Sequence, residues 1–344
     1  MTPLNEQQRL FLVESTQLYA PFAQARQHLL GYKYGMKWGV SKGREYLYRV
    51  TDASGNAKSL GPRSPATEAL YQSFTEGRVR AKERLKGLED RMKLQARLNK
   101  AVNLGRLPMV VSEILQAVDS SKSREDFRMV GTHAIYAYES MAGAHLRMEL
   151  LASGDVDLFY DPRKRLSLVA KKLDGNELLG LLRKVDASFD IVDHEVFRAV
   201  NKNGFMVDLI MPSRDMRNTE KIAFAVGDLE AAEVPNLHWL ANSPCIECVI
   251  ISSNGTAVRA RVPDPRAFAV HKSWLSQQVD RDPVKKPRDL AHAGMVFELI
   301  REYLPIYPLE PEHMRYFPKA VLESEIARSV AGRLVDSRRP SVRP

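Results

Sequence analysis

Apolar and polar positions follow two rhythms along this chain, and the changes of rhythm mark its parts. Residues 6–30 read as a helix. Short strand-like runs follow at 32–40 and 45–50, with Ser54-Gly55-Asn56 as a turn signal. Lys58-Ser-Leu-Gly-Pro-Arg-Ser-Pro then introduces a helix, with Ser64 as its N-cap and Pro65 at its first position. Between residues 78 and 106 strong helix formers run without proline, with leucines at 85, 88, 94 and 98. That spacing predicts one long amphipathic helix packed through its leucines, ending at Gly105 with Pro108 beyond.

The rhythm changes near Ser121. Phe127-Arg-Met-Val-Gly reads as a strand, residues 132–145 as an apolar helix, and Asp155-Val-Asp-Leu-Phe-Tyr as the next strand. A helical stretch at 176–185 leads to strands at 196–200 and 205–211 around Lys202-Asn-Gly, a hairpin pattern. A second hairpin is predicted from 245–252 and 257–262 around Asn254-Gly255, then helices at 265–278, 283–303 and 318–335. Residues 337–344 read as a disordered tail. The expected organisation is a helix-rich region over 1–120, a sheet domain over 121–263, a helical region over 264–336 and that tail. The fold class is α+β, a mixed α/β arrangement.

Composition narrows the function. The 344 residues are 44% hydrophobic and 27% charged, ordinary for a folded soluble protein. Two cysteines, Cys245 and Cys248, exclude a disulfide scaffold and fit a reducing, cytoplasmic setting. No signal peptide pattern opens the sequence and no run of 18 apolar residues occurs, so no membrane role is expected. The net charge of +9 points to a polyanionic partner. Residues 78–106 hold ten Lys and Arg against Glu83, Glu89 and Asp90. Two readings fit that stretch, a solvated face over a packed stripe or a contact with nucleic-acid backbone.

Three features carry chemistry. Gly131-Thr132 sits at a strand-to-helix junction, where backbone N–H groups, the helix dipole and a hydroxyl can grip a phosphate. Asp155 and Asp157 flank Val156 on a strand, so both carboxylates face one way and repel unless a cation joins them. Oxygen ligands of this kind suit Mg²⁺. Asp208 lies inside the apolar strand Phe205-Met-Val-Asp-Leu-Ile-Met and needs a metal, a cation or a donor. Arg198, across the predicted hairpin, is the competing partner.

Together these outline a two-metal phosphoryl-transfer site. Here the sequence resembles the nucleotidyltransferase superfamily typified by DNA polymerase β, with threonine in place of the usual serine. More closely, Ser59-Leu-Gly-Pro-Arg-Ser-Pro, Val130-Gly-Thr-His-Ala-Ile-Tyr-Ala-Tyr-Glu, Asp155-Val-Asp-Leu and Phe197-Arg-Ala-Val-Asn with Val207-Asp-Leu-Ile resemble a bacterial nucleotidyltransferase-fold family. The resemblance implies a polymerase-β-like sheet domain flanked by helical regions. It also implies that Gly131 and Thr132 hold the phosphates of an NTP such as ATP. Asp155, Asp157 and Asp208 would bind Mg²⁺ or Mn²⁺, with Asp208 helping to position the attacking hydroxyl. Lys272, taken as an exposed lysine on the helix after the sheet domain, would meet the triphosphate. The expected acceptor is RNA, for instance a tRNA end, or a protein side chain, and an antitoxin-like partner belongs to the same picture. The rival readings are a non-catalytic nucleic-acid- or partner-binding protein on this fold and a metal-dependent phosphohydrolase.

Lesser signals carry plain structural readings. Gly61 and Arg63 beside the Ser64 cap could hold an anion, although such caps ordinarily only start helices. His133 reads as packing, and Cys245-Ile-Glu-Cys248 lacks the further ligands of a zinc site. Lys285-Lys-Pro-Arg-Asp reads as a solvated helix start. Asp161-Pro-Arg-Lys-Arg reads as a basic loop.

Overall fold

Helix α1 (Glu6–Leu30) begins at a reciprocal cap. The Gln8 backbone N–H donates to Asn5 at 2.8 Å, and the Gln8 side chain accepts from the Asn5 N–H. The computed structural model describes residues 1–121, 124–147, 149, 151, 153–161, 178–213 and 227–336, without the side chains of 330–336. Strand β1 (Thr2–Pro3) precedes α1, and an antiparallel meander follows: β2 (Met36–Ser41), β3 (Arg44–Val50) and β4 (Ala57–Pro62). Its third strand was not expected, because residues 57–62 show no clean alternation. The turn at Gly55 (φ +86°) folds them back onto β3.

Helix α2 (Pro65–Ala101) unites the capped helix and the basic helix in 37 continuous residues, about 55 Å at 1.5 Å per residue. Ser64 and Thr67 close its capping box. It stops at Ala101 rather than Gly105. Gly105 has another role, since a Cβ there would sit 1.9 Å from the Ser252 carbonyl oxygen. The leucine stripe holds only in part, since Leu85 and Leu88 are half-buried but Leu94 and Leu98 are exposed. The face packed on α1 runs through Gly77, Ala81, Gln95 and Asn99, while Leu94 is 56% exposed. Asn99 donates to Ser15 and to the Gly255 carbonyl, both at 2.9 Å, and so fixes the rotation of the helix about its axis. Tyr19 of α1 donates to Asp119 at 2.9 Å, as does Arg259, which ties this helical pair to the core.

Helix α3 (Met109–Asp119) buries Val111, Ile114, Leu115 and Val118 in the main core. Then come β5 (Phe127–Val130), α4 (Ala134–Ala142), β6 (Ala144–His145), β7 (Asp155–Tyr160), α5 (Leu178–Val185), β8 (Asp190–Val192), β9 (Glu195–Val200), β10 (Met206–Pro212) and β11 (Ala232–Val234). After α6 (His238–Asn242), strands β12 (Cys245–Ile251) and β13 (Ala257–Pro263) form a separate hairpin. Helices α7 (Pro265–Leu275), α8 (Lys285–Tyr303) and α9 (Lys319–Asp336) complete the described chain. Helix α4 is shorter than the predicted 132–145, because Gly143 turns left-handed (φ +60°) and residues 144–145 pair with β1. Residues 176–177, the tail at 337–344 and the basic loop after Asp161 lie outside the described residues.

The principal sheet runs β5-β7-β10-β9-β8, with β11 beside the second half of β10. Its two central strands, β7 and β10, are parallel and their other neighbours in that order antiparallel. Val156, Leu158, Val207 and Leu209 are buried among the helices, so the alternate positions of both strands turn to the opposite face. This is the mixed α+β architecture that the patterning predicted.

Candidate active site

The parallel register of β7 and β10 sets Asp157 directly beside Asp208. Asp155 lies two residues earlier on the same face, about 6.6–6.8 Å away between Cα atoms. Carboxylate oxygens of the three residues lie within 4.8 Å of one another. Among the described residues this is the one group of three or more His, Cys, Asp or Glu placed to hold a metal ion, and Cys245 and Cys248 are outside it. Hard oxygen donors in a cluster of net negative charge fit Mg²⁺ or Mn²⁺.

Gly131 belongs to the same constellation by contact. It takes φ +66°, and a Cβ on it would fall 1.9 Å from Asp157 Oδ2. Only glycine lets β5 turn into α4 with the carboxylate seated against the turn. Thr132 is buried, and its hydroxyl accepts from Arg288 of α8 at 3.0 Å. The two halves of the predicted phosphate grip thus meet different partners, a carboxylate and a guanidinium.

Electrostatics mark Asp157 as the strained member. Burial, then Asp155, pushes its carboxyl up to about 6; Asp208 adds to this, while Lys272 and Lys285 oppose it. Asp208 is held differently, because Arg198 donates through Nε and Nη2 to its two oxygens at 2.7 and 2.8 Å. The competing partner weighed for Asp208, Arg198, is thus in place, and Asp208 also lies in the group of three aspartates that could hold a metal ion. Each carboxylate oxygen has two acceptor directions, so the guanidinium does not exhaust Asp208. Ser153 donates to Asp155 and steadies the third carboxylate.

Lys272 corrects one expectation. It lies on α7, near enough to stabilise ionised Asp157, but it is not an exposed lysine, its side chain being only 13% accessible. Its ammonium donates to buried Asp289 at 2.7 Å, and Arg281 donates to the other oxygen of that carboxylate at 2.7 Å. These cations hold Asp289 below the usual carboxylate range despite its burial.

A cleft of about 570 Å³ opens beside Asp155, lined in part by Arg106, Tyr136, Ser153, Gly154 and Arg288. Arg106, counted with the basic stretch, follows the helix and donates to Glu139 at 2.8 Å and to the Leu146 carbonyl at 2.9 Å. Burial raises Glu139 to about 7. Arg288 was missed, because Lys285-Lys-Pro-Arg-Asp reads as a solvated start. A signal was present: three cations in the first turn of α8 oppose its dipole, an arrangement suited to nearby anions. The exposed cations Arg84, Lys86, Arg91 and Lys93 of α2 are not among the cleft residues.

The remaining signals resolve structurally. His133 is buried against Tyr136 and Phe205, and burial depresses its imidazole to about 4, so it is neutral at pH 7. Arg63 donates to Glu45 and Glu68 at 2.7 Å each, which occupies the cation of the candidate anion site. Cys248 is half-buried, and desolvation pushes its thiol up to about 12. Among the described residues, no helix is long and apolar enough to cross a membrane.

A mixed sheet that brings three aspartates together against a glycine turn defines a candidate phosphoryl-transfer domain. The chain matches the family described as "Nucleotidyltransferase" over residues 109–315, about three-fifths of its length, and belongs to that family. No curated protein and no solved structure matches it.

Proposed function

We propose that the protein transfers a nucleoside monophosphate from an NTP to a hydroxyl of an RNA or protein acceptor, by the two-metal chemistry of the polymerase-β-like superfamily. The observation that carries this reading is the convergence of Asp155, Asp157 and Asp208 on one side of Gly131. Asp155, Asp157 and Asp208 would hold divalent ions, whose chemistry there would be Lewis-acid polarisation of the α-phosphate and neutralisation of developing charge. The chain's own residues supply position. Gly131 seats Asp157 against the turn from β5 into α4, and Thr132 with Arg288 offers a hydroxyl and a guanidinium to the phosphates. Lys272, anchored by Asp289, contributes fixed positive charge near Asp157. Asp208, oriented by Arg198, positions the acceptor hydroxyl. That oxygen bonds to the α-phosphorus in line as its proton passes to solvent and the bond to pyrophosphate breaks.

The clamp of Arg198 on Asp208 favours a second reading, a fold-retaining protein that binds nucleic acid or a partner without catalysis. The experiment that separates the two incubates the protein with each α-labelled NTP, Mg²⁺ or Mn²⁺, and total RNA or lysate. Wild type should label an acceptor and Asp157→Asn should not. Equal labelling by both would sink the site assignment. Labelling by neither favours the binding protein.

A further inference from the structure

We infer that the outer face of the β2–β3–β4 sheet is a stacking platform for single-stranded nucleic acid. This deepens the proposed transfer by giving its acceptor a class, and its test does not need that reaction.

The two faces of this small sheet differ in kind. One is covered by α2: Trp38 meets Tyr71 with ring centroids 5.8 Å apart, the Arg49 guanidinium lies 4.4 Å above the Phe74 ring, and Leu47 is fully buried. Strand alternation sends Arg44, Tyr46 and Tyr48 of β3 to the opposite face, with Lys37 and Gly39 across from Tyr48 and Tyr46 on β2. A Cβ on Gly39 would come within 3.1 Å of Tyr48 Cε2, so the Tyr48 ring lies against bare backbone. Both tyrosines remain half-exposed, and Lys37, Lys42 and Arg44 are exposed around them.

Charge identifies the partner. Residues 1–106 contain 19 Lys and Arg against nine Asp and Glu, while residues 107–344 contain 32 against 33. The whole positive surplus of the chain thus lies in the part that carries this sheet and α2. Aromatic rings among cations suit a polyanion whose bases are free to stack, and a duplex hides those ring faces. None of the platform residues lines the cleft beside Asp155.

The test is fluorescence anisotropy of the full chain with a labelled, unstructured single-stranded RNA, in EDTA and without NTP. Tyr46→Ala and Tyr48→Ala should each weaken binding roughly 5–150-fold, the range for one lost base stack. Tyr46→Phe and Tyr48→Phe should retain binding, which guards against a mere folding defect. Lys37→Ala with Arg44→Ala should reduce the log–log salt slope by about 0.7 per lost phosphate contact. Unchanged affinity in the double tyrosine-to-alanine variant overturns the inference, as does an equal loss for the duplex of the same sequence. Failed transfer with intact tyrosine-dependent binding counts against the catalytic reading alone.

Discussion

Replacing Asp157 with Asn removes a charge that the fold holds under unfavourable conditions. In the folded chain burial and two neighbouring carboxylates raise this group from 3.8 to about 6. The unfolded chain has the ordinary value. Between about pH 4 and 6 the native state therefore binds a proton that the unfolded state has released, so stability falls as pH rises and stays lowered above that window. A shift of about two units at 1.36 kcal/mol each amounts to about 3 kcal/mol at neutral pH. Metal-free Asp157→Asn should gain up to about that much over wild type at pH 8, less whatever its amide loses in hydrogen bonding. Below about pH 4, where both states of the aspartate are protonated, the gain should vanish. Urea unfolding of both proteins in EDTA at pH 4, 6 and 8 measures the gap directly. Added Mg²⁺ should stabilise wild type and leave the variant nearly unmoved, since ligand binding to the native state alone raises stability. A variant no more stable than wild type at pH 8, or a gap independent of pH, would refute the reasoning.

Gly131→Ala should cost about 1–2 kcal/mol from the left-handed backbone alone. Its methyl group must also displace the Asp157 carboxylate, so the Mg²⁺-induced rise in melting temperature should disappear with it. Lys272→Ala should raise the KM for NTP, but it should also lower stability by about 1–3 kcal/mol, because among the described residues buried Asp289 then keeps Arg281 alone as a charged donor. Steady-state kinetics and a thermal melt separate those two effects, and an unchanged melt would argue against the buried ion pair. Reversing Arg84, Lys86, Arg91 and Lys93 to Glu, all exposed on α2, should weaken RNA binding and flatten its salt dependence by about 0.7–0.9 in log–log slope per lost contact. An unchanged slope would return α2 to the role of a solvated face.

Local chemistry determined a good deal of this protein. The Ser64-Pro65 start of α2, the two hairpins, the Gly131-Thr132 junction and the pairing of Asp155 with Asp157 on one strand face were legible in the sequence, because each depends on residues only a few positions apart. The long basic helix was legible as a helix. Its orientation was not, since Ser15, Asn99 and the Gly255 carbonyl decide which side of α2 is covered, and these groups lie far apart in the chain.

Tertiary structure decided the rest of the site. Asp208 stands 51 positions after Asp157, and only the parallel register of β10 on β7 makes them neighbours. Lys272 looked exposed because its partner Asp289 lies on the next helix. Arg288 looked solvated because Thr132, its acceptor, is 156 positions earlier. The sequence by itself therefore supplied the carboxylates, the glycine turn and the basic surplus. The packing of α8 against α4 and α7 decided which cations stand beside them, since charge interactions depend on distance through space, and periodicity along the chain does not encode that distance.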